Sequence, residues 1–317
     1  MLRECAAKSG SIRNMTTVCV TRRGAVFSML AATLCWSSGG VLAKSVAHAG
    51  AMEAVFWRSL FMAGFVAVLL SWRGDRTLWR QLGAADKWGH LAGLSLASTF
   101  FFFILSLRFT HAANTFALMA TAPLFTAVLA RCVLGERLPL RTSLALLAAV
   151  TGMVLIFADS WEGGRSLGNL LALGVPAAYA VNLVALRRHH VVTDPRPTLI
   201  LAGLYSMLFA APFAWPPQAT SSDVVILAVM GCGQLAAGCL FMLRAVKVLQ
   251  AAEVSLLGLL ETVLGPLWVW LILGEAPGRA ALTGAVVVIT ALAANELAAL
   301  SRPDPSAIVS RRIDSSS

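Results

Sequence analysis

Charge is what this sequence has least of. Of 317 residues only 13% are Asp, Glu, Lys or Arg, about half the share of a soluble domain. That shortfall excludes a globular surface wetted on all sides. Cysteine is sparse and scattered. Cys5, Cys19, Cys35, Cys132, Cys232 and Cys239 form no C-x-x-C pair, so neither a zinc-finger pattern nor a disulfide framework is indicated. The signatures of catalysis are missing too. Gly93-Leu94-Ser95-Leu96-Ala97 approaches a nucleophile elbow but lacks its second glycine and lies inside an apolar run. No H-E-x-x-H and no G-x-x-x-x-G-K-[ST] occurs. No ATP site is present to drive a pump, and no nucleophile–base set points to an enzyme.

What is present is apolar sequence. The hydrophobic share is 58%, and it falls in runs of about 20 residues, the length that crosses a bilayer as a helix. Breaks of charge, Pro and Gly cut ten spans: 24–45, 52–72, 89–107, 112–132, 140–158, 168–187, 198–215, 222–243, 251–273 and 279–300. Connections such as 46–51 and 108–111 are short, which forces antiparallel neighbours. A β-barrel would need roughly 10-residue segments of alternating polarity, and these are not seen. The predicted fold is an all-α polytopic membrane protein. Residues 1–23 read as a basic cytoplasmic tail without a signal-peptide pattern, with Met15 as an alternative start, and residues 301–317 as a disordered tail.

The net charge of +10 could suggest nucleic acid in a soluble protein, but here it sets orientation. If the N-terminus is cytoplasmic, the inner segments hold twenty Lys and Arg and the outer loops hold three (Arg108, Arg165 and Arg279). That bias predicts both termini inside.

A repeat organises the chain. Leu134-Gly135-Glu136 returns as Leu273-Gly274-Glu275, 139 residues on, and at that offset Ala112-Ala113 falls on Ala251-Ala252 and Arg108 on Lys247. Trp36 and Lys44 are eight apart, as are Tyr179 and Arg187, at an offset of 143. The chain therefore reads as two five-helix units, 24–158 and 168–300. Five is odd, so the second unit enters from the other side. Inverted repeats are a transporter architecture with a site near the midplane. Glu136 and Glu275 then lie at opposite surfaces and mark the repeat rather than the site.

Polar groups inside apolar spans are the candidates for that site, because a charge at the bilayer centre costs at least about 2.5 kcal/mol. Arg58 lies about 9 Å below the outer end of the second span, at 1.5 Å per residue. It calls for a carboxylate partner or an anionic ligand group. Glu261 lies roughly 15 Å from the cytoplasmic end of the ninth span. It is placed to bind a cation, carry a proton or neutralise Arg58. Trp36 stands at a depth similar to that of Arg58 and offers a face for stacking or for a cation. Tyr179 and Asn182, three apart on the sixth span, offer hydrogen bonds, with Pro176 one turn earlier. Lys44, Asn114, Gln234 and Glu253 are secondary candidates, with His111 a further polar residue. Each has a plain alternative: helix packing, interhelical hydrogen bonding, a snorkelling cation or, for Glu253 and Glu53, a helix-start acid. Gly93 with Ala97 and Ala145 with Ala149 have the small-xxx-small spacing of close helix packing.

These features together resemble the drug/metabolite transporter superfamily, EamA type. The resemblance rests on the L-G-E boundaries, the inverted repeat, Trp36 through Lys44, Arg58, and above all Glu261-Thr262-Val263-Leu264-Gly265-Pro266-Leu267-Trp268-Val269-Trp270-Leu271-Ile272-Leu273-Gly274-Glu275. It covers about residues 24–300. It implies a bacterial inner-membrane carrier of small metabolites, amino acids or drugs. Such carriers work without cofactors, by proton coupling, exchange or facilitated flow. The expected partners are a small-molecule substrate, the lipid bilayer and a coupling proton, with the protein a monomer or homodimer. A non-transporting membrane sensor or assembly protein is the alternative, and it predicts no continuous polar path between the repeats.

Overall fold

The computed structural model describes residues 21–72, 82–83, 85–109, 118–135, 140–157, 166–190 and 194–273, with single positions between 283 and 294. Among the described residues every regular element is helical. A helix stands at each of the first nine expected spans. α1 is Arg22–Ser37 with its continuation Gly39–Lys44; α2 is Ala51–Trp72, α3 Lys87–Phe109, α4 Ala122–Leu134 and α5 Leu140–Phe157. α6 is Ser166–His190, and α7 is Pro197–Ala210 with a 3-10 turn at Ala211–Phe213. α8 runs through Ser221–Val229, Met230–Ala237 and Gly238–Val246, and α9 through Ala251–Gly258 and Leu260–Leu273. Six of these are long and apolar enough to cross a membrane, while Ala122–Leu134 and Pro197–Phe213 are shorter apolar helices. The tenth span apart from those single positions, Glu136, Glu275, residues 1–20 and 301–317, Asn114 and His111 lie outside the described residues.

Local chemistry sets the helix ends. Thr220 and Asp223 form a capping box at the start of α8, and Gln250 and Glu253 form one at the start of α9. Asp86 caps α3 by accepting from Gly89 N at 2.8 Å. Gly135 ends α4 with φ 68°, a left-handed conformation that suits glycine. The expected first and eighth spans are less regular than hydropathy suggests. α1 is interrupted at Ser38, just before Gly39-Gly40, and glycine and serine together are a common cause of helix irregularity. α8 carries eight residues of π-helix, Met230–Ala237, a distortion frequent at functional sites.

The packing crosses between the two halves of the sequence. α3 packs on α6 and α7, and α4 packs on α6. Adding or subtracting five gives α8 on α1 and α2, and α9 on α1, which is also observed. α2 with α7, and α4 with α9, map onto themselves. The helices thus form two interleaved bodies, α3–α4–α6–α7 and α1–α2–α8–α9, each built from both halves of the chain. Glycines let the helices within a body approach closely. A Cβ on Gly231 would stand 2.5 Å from Arg58 O, and one on Gly238 would stand 2.3 Å from Trp36 Nε1. Gly93, singled out for its spacing, meets α7, where a Cβ would lie 2.8 Å from Leu201 Cβ.

Charges gather at the two ends of the bundle. On the face that holds Arg22, Arg22 pairs with Glu253 at 2.8 Å, and His189 Nδ1 lies 2.7 Å from Asp86 Oδ1. Asp194 pairs with Arg196 on the same face. On the opposite face Asp223 accepts from Ala47 N at 3.0 Å and His48 N at 3.2 Å. Glu53 accepts there from Gln218 N and Ala219 N, both at 2.9 Å. The plain reading of Glu53 as a helix-start acid therefore extends to a clamp on the loop between α7 and α8.

Candidate functional site

Between the two bodies lies a cavity of about 130 Å³, room for several waters or a small solute. One wall is mainly apolar and comes from α3, α6 and the segment just before α4: Phe100, Phe103, Met119, Pro176 and Tyr179. The other wall carries Trp36 from α1, Arg58 from α2, Gln234 and Cys239 from α8, and Ser255 and Glu261 from α9. Four of the five residues expected at a midplane site, Trp36, Arg58, Tyr179 and Glu261, meet here, as does the secondary candidate Gln234.

Arg58 is the unusual member. It is 4% exposed, and its Nε and Nη2 have no hydrogen-bond partner among the described residues. Its guanidinium stands 5.4 Å from the centre of the Phe100 ring, a cation–π arrangement. Among the described residues no ion pair joins Arg58 to Glu261. The two charges flank Cys239, which is within electrostatic reach of both. Nε and Nη2 form one edge of the guanidinium, two parallel donors that match a carboxylate or phosphate. Leaving such a cation buried is unfavourable by several kcal/mol in round terms, so the edge is a standing demand for an oxyanion.

The cation-accepting side is built around Glu261. Trp36 and Tyr179 meet edge to face with ring centres 6.5 Å apart, and the Tyr179 hydroxyl lies 3.8 Å from Met242 Sδ. Gln234 donates from Nε2 to Trp36 O at 3.3 Å, while its Oε1 has no partner among the described residues. The Ser255 hydroxyl is likewise buried without a partner among them. The cavity thus offers an orphan donor edge, orphan acceptors and a carboxylate against a largely apolar background.

Other candidates stand elsewhere. Asn182 is 1% exposed and donates to Ala92 O at 2.8 Å, so it binds α6 to α3 and does not line the cavity. Glu253 is engaged by Arg22 and by the start of its own helix. The Lys44 side chain lies outside the described residues, although its backbone closes α1. Cys239, Ser255, Thr99 and Phe100 are lining residues that sequence reasoning missed. The π-turn bore on this, because it adds to the register of α8 and decides which of its residues face inward.

On the Arg22 side the cavity is walled by buried residues. Leu96, Leu235, Cys239 and Ser255, on that side, are buried, whereas Phe103, Met119 and Ala122, on the other, are partly exposed.

The EamA-like transporter family matches the sequence twice, over residues 23–158 and again over 166–295. The chain belongs to the EamA-like transporter family. No curated protein matches the chain significantly. A solved structure described as "Crystal structure of protein" is 18% identical, with a TM-score of 0.73 over 89% of this chain and 100% of that one. At that identity the likeness shows the fold alone.

Proposed function

We propose that this EamA-like protein is a secondary transporter of a small zwitterionic metabolite such as an amino acid. The observation that carries this reading is the buried Nε–Nη2 edge of Arg58, without a partner among the described residues, at the wall of the cavity between the two bodies. Arg58 receives the carboxylate. Glu261 receives the ammonium group, or a coupling proton in its place. Trp36 and Tyr179 enclose the cationic end, and Phe100, Phe103 and Met119 take up the apolar remainder.

Ten helices arranged as two inverted five-helix repeats supply the mechanism. The two bodies rock about the cavity, which opens to each side in turn. The Arg22 face is cytoplasmic by the Lys and Arg bias, so both termini are inside. The membrane is the bacterial inner membrane. The direction is export, driven by proton coupling or exchange. The functional unit is a monomer or homodimer, and no cofactor takes part.

The test is substrate-gradient flux in vesicles of both orientations, with a panel of amino acids, amines lacking a carboxylate and acids lacking an amine. Only solutes carrying both charges are expected to move. Transport of amines and acids as fast as amino acids removes the zwitterion reading. Full activity of Glu261→Gln at every pH removes the role given to Glu261. Flux of none of these solutes, in folded protein, favours the sensor or assembly alternative.

A further inference from the structure

Two irregular helices meet at the polar wall of the cavity. α1 is interrupted at Ser38, and the π-helical stretch of α8, Met230–Ala237, packs against α1 on both sides of that interruption. Gln234 joins the two. Its Nε2 donates to Trp36 O at 3.3 Å, just before the interruption. The amide lies over Gly39, where a Cβ would stand 2.7 Å from Nε2. A larger residue at 39 would take the space that Gln234 fills.

That tie uses half of the amide. A hydrogen bond between helices is the common role of a Gln inside a membrane span, and Nε2 alone fulfils it. Oε1 is buried without a partner among the described residues, on a side chain that is 9% exposed and lines the cavity. Turning the amide over would set Oε1 against Trp36 O, acceptor against acceptor, so the tie fixes the orientation. What Gln234 leaves for the cavity is an acceptor. Its place on α8 identifies the donor. Gly231, three residues earlier, lies against the Arg58 backbone, where a Cβ would stand 2.5 Å from Arg58 O. Gln234 and Arg58 therefore share one wall. A carboxylate on the Arg58 edge has no hydrogen to offer. The ammonium on the next carbon of an α-amino acid has three N–H donors, as a Lys ammonium does, and they point in three directions. Glu261, on one side, does not answer all three.

We propose that Gln234 is a substrate-binding residue whose Oε1 accepts a hydrogen bond from the ammonium of the zwitterion that Arg58 holds by its carboxylate. The proposal rests on the zwitterion reading above and adds a specificity to it. Glu261 contributes charge, which a quaternary ammonium also carries. Gln234 reads the N–H itself, so the site favours an ammonium that keeps its hydrogens over a fully N-methylated one of the same charge.

The experiment is equilibrium binding of L-alanine and of its N,N,N-trimethyl form to the purified full chain, by calorimetry. The parent is expected to favour alanine. Gln234→Met, close to Gln in volume, is expected to weaken alanine about tenfold, which corresponds to about 1.4 kcal/mol, the scale of a hydrogen bond to a charged group. The affinity for the trimethyl form should stay within about twofold. Loss of the tie to Trp36 O acts on both ligands alike, so the difference between them isolates Oε1. Gly39→Ala, which displaces the amide without removing it, should narrow the preference in the same direction. Both ligands are measured on one sample of each variant, so a reduced folded fraction cancels in the ratio. Equal losses for the two ligands, or a preference for alanine untouched in Gln234→Met, overturn the role of Gln234 and leave the zwitterion reading standing. A parent that binds the trimethyl form as tightly as alanine does the same. Folded parent that binds neither ligand overturns the zwitterion reading, and the role of Gln234 with it.

Discussion

The cavity and the two faces of the bundle treat polar groups in opposite ways. At the faces, acids are saturated: Asp223 accepts two backbone N–H groups across the α1–α8 junction and, within its capping box, Thr220 N and Oγ1. Glu53 gathers two from the loop after α7. In the cavity, Arg58, Gln234 and Ser255 each keep buried atoms without a partner among the described residues. A satisfied group holds structure together; an unsatisfied one is a cost to the fold that a ligand can relieve. The contrast sets the saturated acids of the faces against the orphan groups of the cavity wall, and substitution can break it on either side.

The largest effect is expected at Arg58. Arg58→Met removes the donor edge but fills the same space with apolar atoms. Replacing a buried charge in this way is often neutral or stabilising. Flux should fall by at least about 100-fold, the scale of one lost charge-assisted contact of about 3 kcal/mol, while the thermal midpoint in detergent holds or rises. Loss of both flux and stability would place Arg58 with the structural group. Asp223→Ala is the reverse case. It strips the α8 capping box and the link to α1, so the melt should drop by the equivalent of about 1–2 kcal/mol. Residual flux per folded molecule should be affected far less.

Gly238→Ala tests the seam between the two kinds of region. Its Cβ would stand 2.3 Å from Trp36 Nε1, so Trp36 must move at the point where it borders Tyr179. Overpacking of this kind typically costs about 1–3 kcal/mol. Flux should fall through a changed affinity more than a changed maximal rate. Ala at Gly233, where nothing lies within 4 Å, is the matched control and should change little.

Much of this contrast was legible in the sequence, for a physical reason. A charge in an apolar run is conspicuous, and 1.5 Å per residue gives its depth. That arithmetic reached Arg58 and Glu261, and the repeat reached Trp36 and Tyr179. It failed at Asn182. Three residues turn a helix by about 300°, so Asn182 sits some 60° from Tyr179. In a narrow cavity that angle aims it at the α3 backbone instead. Thr99, Phe100 and Cys239 carry no charge and look like any other residue of a span. The interleaving of the bodies was hidden for another reason. A repeat shows which helices are equivalent, while side-chain complementarity decides which helices touch, so α6 belongs with α3 and α8 with α1.

The smallest effect is expected where a face group is only partly enclosed. Asp86 caps α3 and meets His189 of α6. Burial works against its charge, but the Gly89 N–H and His189 outweigh it and hold the carboxyl below its ordinary range. A carboxyl whose pKa is lowered by folding adds stability at pH values above its unfolded pKa, about 3.9. That contribution disappears as pH falls through the lowered folded value. The tie is therefore fully present at neutral pH and weakens only in acid. Asp86→Asn keeps a capping oxygen and gives up the charge. The cost should stay under about 1 kcal/mol, as for a partly exposed pair. The decisive observation is the shape of the melting midpoint against pH. Between pH 6 and pH 3 the Asn variant should lose less stability than the parent, so that the two curves converge. Curves that stay parallel would mean that the Asp86 carboxylate contributes nothing through its charge, and that its hold on α3 and α6 is geometric alone.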